Sequence, residues 1–430
     1  MTLWQKLQRK AFVATALTTV GTTGFLAKAQ ETTKVGGPNC PRVGGRPLKL
    51  VQVHTVFRHG SRTPMINMKG VFWSLAEQTK TDLALAPFQL WAFGRSNPVD
   101  FQMIPKNIGR EDGPPLEGGA QSGSLTRNGM LMAIDLGKEL RSRYVDEHAE
   151  ESDSVRCGYL LPNQWSQSRR VLNIMSTKTS RTVETAQGLM TGMFPETVDD
   201  GIDIHLVGGN LSPNGKFLIG PEPGGEFMVF WPRGCDRLAY LFGMGKRLAA
   251  QHRAQSELDL LAHIEQHEEG WMQEDEYWKF ISYRDQLSCR EAEGKSVPAH
   301  IVDVAPSLDK AAQNQMEHIF EGGARFHKNA ITSHSRRVET LRLGIGRLVT
   351  HLLERMDRPD STMHLYSGHD WSVSPLFMCV AGPGATHDWP PFCSNISFEV
   401  WSDCAEDSAP VHWSVNGINP QNDDGRYVRV

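Results

Sequence analysis

Hydrophobic residues gather in short unbroken runs separated by amphipathic stretches, an order that predicts an alternating α/β chain. Leu48 to Phe57 is the clearest run; Pro47 precedes it and Gly60 follows it, so it reads as a buried strand. Val171-Leu172-Asn173-Ile174-Met175 and Met363 to Ser367 read as two more strands. Beyond the first of these two, Val183, Ala186, Leu189 and Met190 share one helical stripe. From about Asp236 to Tyr283 the pattern turns helical and highly charged, with Leu238, Leu241, Leu248, Leu258, Leu261 and Ile264 at helix-like steps. The closing Arg426-Tyr427-Val428-Arg429-Val430 reads as part of a further strand.

Each of the three strands leads into a loop that carries ionisable side chains. After the first come Arg58-His59-Gly60-Ser61-Arg62-Thr63-Pro64. Two guanidinium groups around an imidazole suit a tetrahedral oxyanion, phosphate above all, because each fork donates paired hydrogen bonds. The imidazole held there is a candidate nucleophile that would form a phosphohistidine. The strand at Met363 ends in Gly368-His369-Asp370, where an imidazole can contact phosphate and a carboxyl can protonate a leaving alkoxide. Alone, that dyad equally describes a helix start with an acidic first turn. The strand at Val171 leads into Ser176-Thr177-Lys178-Thr179-Ser180-Arg181-Thr182. Arg181 sits at a strand-to-helix junction whose amides also suit an anion, and Lys178 is the competing cation that spacing leaves open.

Together these elements resemble the histidine acid phosphatase family, relatives of phosphoglycerate mutase. The family's RHGxRxP signature matches Arg58 to Pro64 without a gap, its HD dyad matches His369-Asp370, and its distant arginine maps to Arg181. The likeness continues through Leu125-Thr126, Gly129, Leu136-Gly137, Leu140-Arg141 and Tyr144, and through Leu341 to Gly346, so that it covers residues 47–430. Within the family it is nearest to the group of lysophosphatidic acid phosphatase type 6 and 2-phosphoxylose phosphatase. Cys40-Pro41 and Trp389-Pro390-Pro391-Phe392 look like the first, whereas Leu161-Pro162-Asn163 with Trp165 and Ser180-Arg181-Thr182 look like the second.

The resemblance implies a three-layer α/β/α core of phosphoglycerate mutase type with an inserted α-helical cap. The core would span 47–198 and 299–430 and the cap 199–298, after a targeting segment (1–30) and a linker (31–46). It also implies an acid phosphatase acting on phosphomonoesters. His59 would attack phosphorus, Arg58, Arg62, Arg181 and His369 would hold the oxygens, and Asp370 would serve as acid and then base, with no metal or other cofactor. The expected partner is a small phosphomonoester, a lysophospholipid or a phosphosugar. A phosphotransferase or mutase with the same nucleophile, and a non-catalytic phosphate-ligand binding protein, are the other readings. Relatives usually continue beyond the strand at Arg426, and many carry a smaller side chain in place of Trp371. Trp371 is expected to be a core aromatic; otherwise it would narrow the leaving-group side.

Composition narrows the setting. At 430 residues and 39% hydrophobic content the chain can bury a large core, and its net charge of −4 gives no sign of nucleic-acid binding. Lys6, Arg9, Lys10 and Lys28 precede the first acidic residue, Glu31. The mildly apolar Ala11 to Leu26 and Ala27-Lys28-Ala29 suit a secretory signal or a mitochondrial presequence, and are too short and diluted for a stable membrane span. Seven cysteines without a CxxC exclude a disulfide scaffold and leave at least one thiol free if the protein is secreted. Asn210-Leu211-Ser212 and Asn395-Ile396-Ser397 fit glycosylation sequons. His263 and His267 stand four apart, a zinc-compatible spacing, but without further ligands a solvated helix face is expected.

Overall fold

The computed structural model describes residues 42–43, 46–66, 71–92, 98–103, 115–146, 159–207, 210–211, 217–218, 226–232, 234–267, 278–326, 329–358, 362–381, 388–403, 411–413 and 426–430. The targeting segment expected at 1–30 lies outside them. Most of the expected linker does too, although Arg42–Val43 folds back on Arg46 and Pro47 as a short antiparallel pair.

The three apolar runs form strands, in a sheet that we number β1 (Arg46–Arg58), β2 (Phe88–Ala92), β3 (Pro98–Val99), β4 (Leu172–Ser176), β5 (Ile202–Leu206), β6 (Thr362–Gly368), β7 (Asn395–Asp403), β8 (Val411–Trp413) and β9 (Arg426–Arg429). The spatial order is β8-β9-β7-β1-β6-β4-β5-β2-β3. From β1 through β6, β4 and β5 to β2 the ladder is parallel, and β7 runs antiparallel to β1. Burial on both faces explains why β1, β6 and β4 read as apolar runs, whereas β5 and β2 further out alternate. In β1 the pairing with β7 skips Val51: Gln52 faces Val400 while Leu50 faces Trp401. This bulge switches the parity of the strand, so that Leu48, Leu50, Val53 and Phe57 all reach one core and Val51 and Val56 the other.

Helices α1 (Arg127–Tyr144) and α2 (Ser180–Met193) cover the first face of the sheet. A helical group follows: α3 (Asp236–Gln251), α4 (Gln255–His267), α5 (Lys279–Ala292), α6 (Ala305–Phe320) and α7 (Ala330–Gly344). Helices α8 (Gly346–Met356) and α9 (Asp370–Val380) cover the second face, completing three layers. Side chains of α3, α4, α5 and α6 form a core of their own, joined to the rest through Leu341, Met378 and Trp389.

This packing divides the chain differently from the expected 199–298 insertion. β5 lies inside that range yet is a strand of the main sheet, because its alternating Ile202, Ile204 and Leu206 bury beside β4 and β2. α6 lies beyond the range yet packs with α3 and α5, because its apolar stripe faces them rather than the sheet. His263 places Nε2 3.1 Å from the His300 carbonyl oxygen, and no cluster of metal-ligating side chains forms among the described residues. Among them too, no helix is long and apolar enough to cross a membrane. Cys235, Cys289, Cys379 and Cys393 are free thiols.

One polar group sits inside the second core. Parallel register sets His54 directly beside His364, their rings stacked at 4.6 Å, and His351 of α8 meets Tyr366 edge-on at 5.8 Å. Burial, followed by nearby cations including Arg355 and Arg358, pulls His351 down to about 4 and His364 to about 3; burial, then His364 and His351, also lowers His54. These histidines are neutral in the fold but charge near their ordinary value once unfolded. The unfolded chain therefore binds more protons, so their contribution is complete above about pH 6.5 and is lost as pH falls toward 4 and below. Urea midpoints at pH 7 and pH 4.5 should show this decline, with a smaller fall for His364→Gln. Equal slopes in the two proteins would remove His364 as a cause.

Candidate active site

The site lies outside the carboxyl ends of β1, β6 and β4, where an open α/β sheet presents its loops. Register does the positioning. Gly368 pairs with Arg58, the His59 amide donates to the Gly368 carbonyl at 3.0 Å, and the Thr177 amide donates to Ser367 at 3.1 Å. The rings of His59 and His369 thereby meet edge to face at 5.4 Å. The loop after His59 lies against the start of α1, where the Gly60 and Gly129 backbones touch. A Cβ on Gly60 would fall 2.1 Å from the Gly129 carbonyl oxygen, so only glycine permits this approach.

His59 is buried, and its Nδ1 lies 2.9 Å from the Gly60 carbonyl oxygen. A carbonyl only accepts, so Nδ1 carries the proton and Nε2 keeps its lone pair. Burial, then Arg181, Arg58, His369 and Arg62, hold the imidazole well below the ordinary histidine range. The ring is therefore held in its neutral form, with the Nε2 lone pair unprotonated.

Three guanidiniums surround it. Arg58 donates to the Pro390 carbonyl at 2.6 Å, pairs with Asp370 at 3.0 Å and lies 4.2 Å over the Phe392 ring. Arg62 meets Asp285 of α5 with both ends of its fork, Nη2 at 2.5 Å from Oδ1 and Nη1 at 3.3 Å from Oδ2. Arg181, in the first turn of α2, lies 3.4 Å from His369 Nδ1. Burial and the charge of Arg62 pull it down to about 9, which leaves it cationic throughout the acid range. Burial lowers Arg58 as well, despite Asp370. The Nε–H groups of Arg58 and Arg62 are buried without a protein partner. An anion that accepts from both would satisfy donors that are otherwise costly to bury.

The second dyad is equally built. Thr182 donates to the Thr179 carbonyl at 2.8 Å, so its oxygen accepts from Thr177, 2.9 Å away. Thr177 in turn accepts from His369 Nε2 at 2.9 Å, which leaves His369 Nδ1 bare toward Arg181. Asp370 opens α9, where Oδ1 accepts from the Trp371 amide at 2.9 Å. Trp371 is half-buried in an aromatic group with Trp231, Phe242, Trp278 and Phe320, at ring distances of 5.7, 5.9, 5.9 and 5.0 Å.

The structure thus brings together Arg58, His59, Arg62, Arg181, His369 and Asp370. Lys178 stays apart, half-buried with its charge near Glu226. Sequence reasoning missed Asp285, which no motif marks, and the roles of Thr177 and of the loop before β7. That loop holds the dipeptide Arg58-His59: Ser394 and Pro390 carbonyls accept from Arg58, the Cys393 amide donates to the His59 carbonyl, and Phe392 stacks beside both.

Residues 49–212 match the family described as the histidine phosphatase superfamily (branch 2). Counting factor 60 from Dictyostelium discoideum is 23% identical over 87% of this chain and 80% of its own length. Human lysophosphatidic acid phosphatase type 6 is 24% identical over 87% of this chain and 78% of its own. Among solved structures, the apo phytase of Hafnia alvei is similar with a TM-score of 0.48 and 12% identity, over 89% of this chain and 90% of that one. The Bifidobacterium longum multiple inositol polyphosphate phosphatase in complex with phosphate is similar with a TM-score of 0.44 and 11% identity, over 91% and 88%.

Anion binding can be read without turnover. Inorganic phosphate or vanadate at about 100 times its Kd should stabilise the fold by about 2.7 kcal/mol, a rise of a few degrees in Tm. The rise should vanish in Arg181→Ala. An equal rise in that variant would place the anion elsewhere.

Proposed function

The chain belongs to branch 2 of the histidine phosphatase superfamily and is a phosphomonoester hydrolase; from that premise we propose that it works through a phosphohistidine on His59. The observation that carries this reading is the neutral imidazole with a bare Nε2 among three guanidiniums, with Asp370 on the neighbouring strand end. Nε2 attacks phosphorus in line while the bond from phosphorus to the ester oxygen breaks. Arg58, Arg62 and Arg181 spread the charge of the equatorial oxygens, and His369 joins them once the incoming anion favours its protonation. A phosphate that takes over the Arg58 fork releases Asp370 to carry the proton that the leaving oxygen receives. Water then attacks the phosphohistidine, Asp370 takes its proton, and inorganic phosphate leaves with His59 neutral again.

For substrate we favour a lysophospholipid of the lysophosphatidic acid type over a phosphosugar. Two observations support it: similarity to lysophosphatidic acid phosphatases over most of the chain, and the aromatic group around Trp371, next to the proton donor. Only the half-buried Trp231, Trp278 and Trp371 of this group keep apolar surface outside the core, and an apolar leaving group suits that surface better than a sugar does.

Turnover of p-nitrophenyl phosphate in EDTA at pH 4 to 7 tests the mechanism. His59→Ala should abolish it. Asp370→Asn should cost about 10²–10⁴-fold on alkyl phosphates, which need a proton on the leaving oxygen, and far less on p-nitrophenyl phosphate. Retained activity in His59→Ala would end the phosphohistidine reading. A higher kcat/KM for sugar phosphates than for lysophosphatidic acid would reverse the substrate preference.

A further inference from the structure

Helix α5 belongs by packing to the helical group, where Phe280, Tyr283 and Leu287 meet α6 and its neighbours. Its other face grips the loop that carries His59. Asp285 holds both ends of the Arg62 fork and also accepts from the Met65 amide at 3.1 Å. One residue past the helix, Glu293 Oε1 accepts from Ser61 Oγ at 2.5 Å and lies 2.6 Å from Thr126 Oγ1. Gln286 donates to the Ile66 carbonyl, and the Ala292 carbonyl accepts from Asn128 at 2.6 Å. Both flanks of Arg62 are thereby tied to one helix.

The chemistry of a guanidinium gives this a direction. Its five N–H groups form an end-on pair, from Nη1 and Nη2, and a side-on pair, from Nε and the second hydrogen of Nη2. Asp285 takes the end-on pair, and Nη1 also donates to the Thr63 carbonyl at 3.0 Å. The Nε–H of Arg62 is buried without a protein partner. The carboxylate therefore fixes the plane of the guanidinium and leaves its side-on edge for phosphate. Without Asp285, the Thr63 carbonyl would hold only one end of the fork, and the buried charge would lose its paired carboxylate.

We propose that Asp285 is the positioning residue for Arg62, and that through it the helical group sets the geometry of phosphate binding. The proposal rests on the phosphatase reading above, in which Arg62 contacts the phosphoryl group. Asp285 also accepts from the Met65 amide, and its charge reaches Arg58 and Arg181, so the share of its effect that passes through Arg62 is the share that disappears with Arg62.

A double-mutant cycle tests this with the full chain. The Ki of inorganic phosphate and the kcat and KM for p-nitrophenyl phosphate would be measured for wild type, Asp285→Asn, Arg62→Ala and the double variant. Asp285→Asn should raise Ki and lower kcat/KM by about 10–100-fold, the usual cost of losing the group that orients a ligand. In the Arg62→Ala background the same change should move Ki by less than about twofold. General damage to the fold would act in both backgrounds, and equal effects, or none in either, would overturn the proposal. If Asp285→Asn does not fold, Asp285→Glu, which keeps the charge but shifts it by one methylene, takes its place in the cycle. His59→Ala run alongside separates the two levels. Activity in that variant would overturn the mechanism itself, whereas an inactive His59→Ala with an uncoupled Asp285 would overturn only the positioning role.

Discussion

Positive charge held out of water around one imidazole is the constraint on which the rest of the structure depends. Arg58, Arg62 and Arg181 are all buried, and guanidiniums in such a place must be matched from every side. Asp370 and Asp285 supply charge, the Pro390 carbonyl supplies an acceptor, and the face of Phe392 supplies a negative quadrupole. They come from three different stretches of chain. Burial, and then the same cluster, keep His59 neutral, so the groups that would bind phosphate also help prepare the atom that would attack it.

What could be read from the sequence is what is local. The apolar runs ending at Phe57, Met175 and Ser367 became strands, and the ionisable residues just beyond them met because parallel strands present their carboxyl ends together. Arg181 separates from Lys178 only in three dimensions, where one is buried beside His369 and the other lies near Glu226. Asp285 was invisible for a physical reason. It stands just past the charged helical stretch that ends at about Tyr283, at a position no periodicity marks, and its partner lies far away in the sequence. Periodicity shows which face of a helix is polar, but not what that face meets.

The border of the helical group is hidden from the sequence for a related reason. β5 is a short strand at the start of a stretch read as helical, and α6 has an apolar stripe that would suit a sheet as well as a helix bundle. Only the surfaces they actually contact distinguish the two. The bulge at Val51 is hidden in the same way, since an apolar run carries no mark of where its parity switches.

β1 is the first long element along the described chain, yet both of its edges are closed by strands from the far end, β6 on one side and β7 on the other. A ribosome releases β1 long before either neighbour exists. Until residues 362–403 emerge, the longest strand of the sheet has two open edges and the loop with His59 has no frame. Synthesis therefore places a long waiting time between the appearance of the nucleophile and its assembly, with aggregation as the competing reaction. Slow decoding between α7 and β7 would lengthen that exposure, and a chaperone that shields residues 46–58 would shorten it.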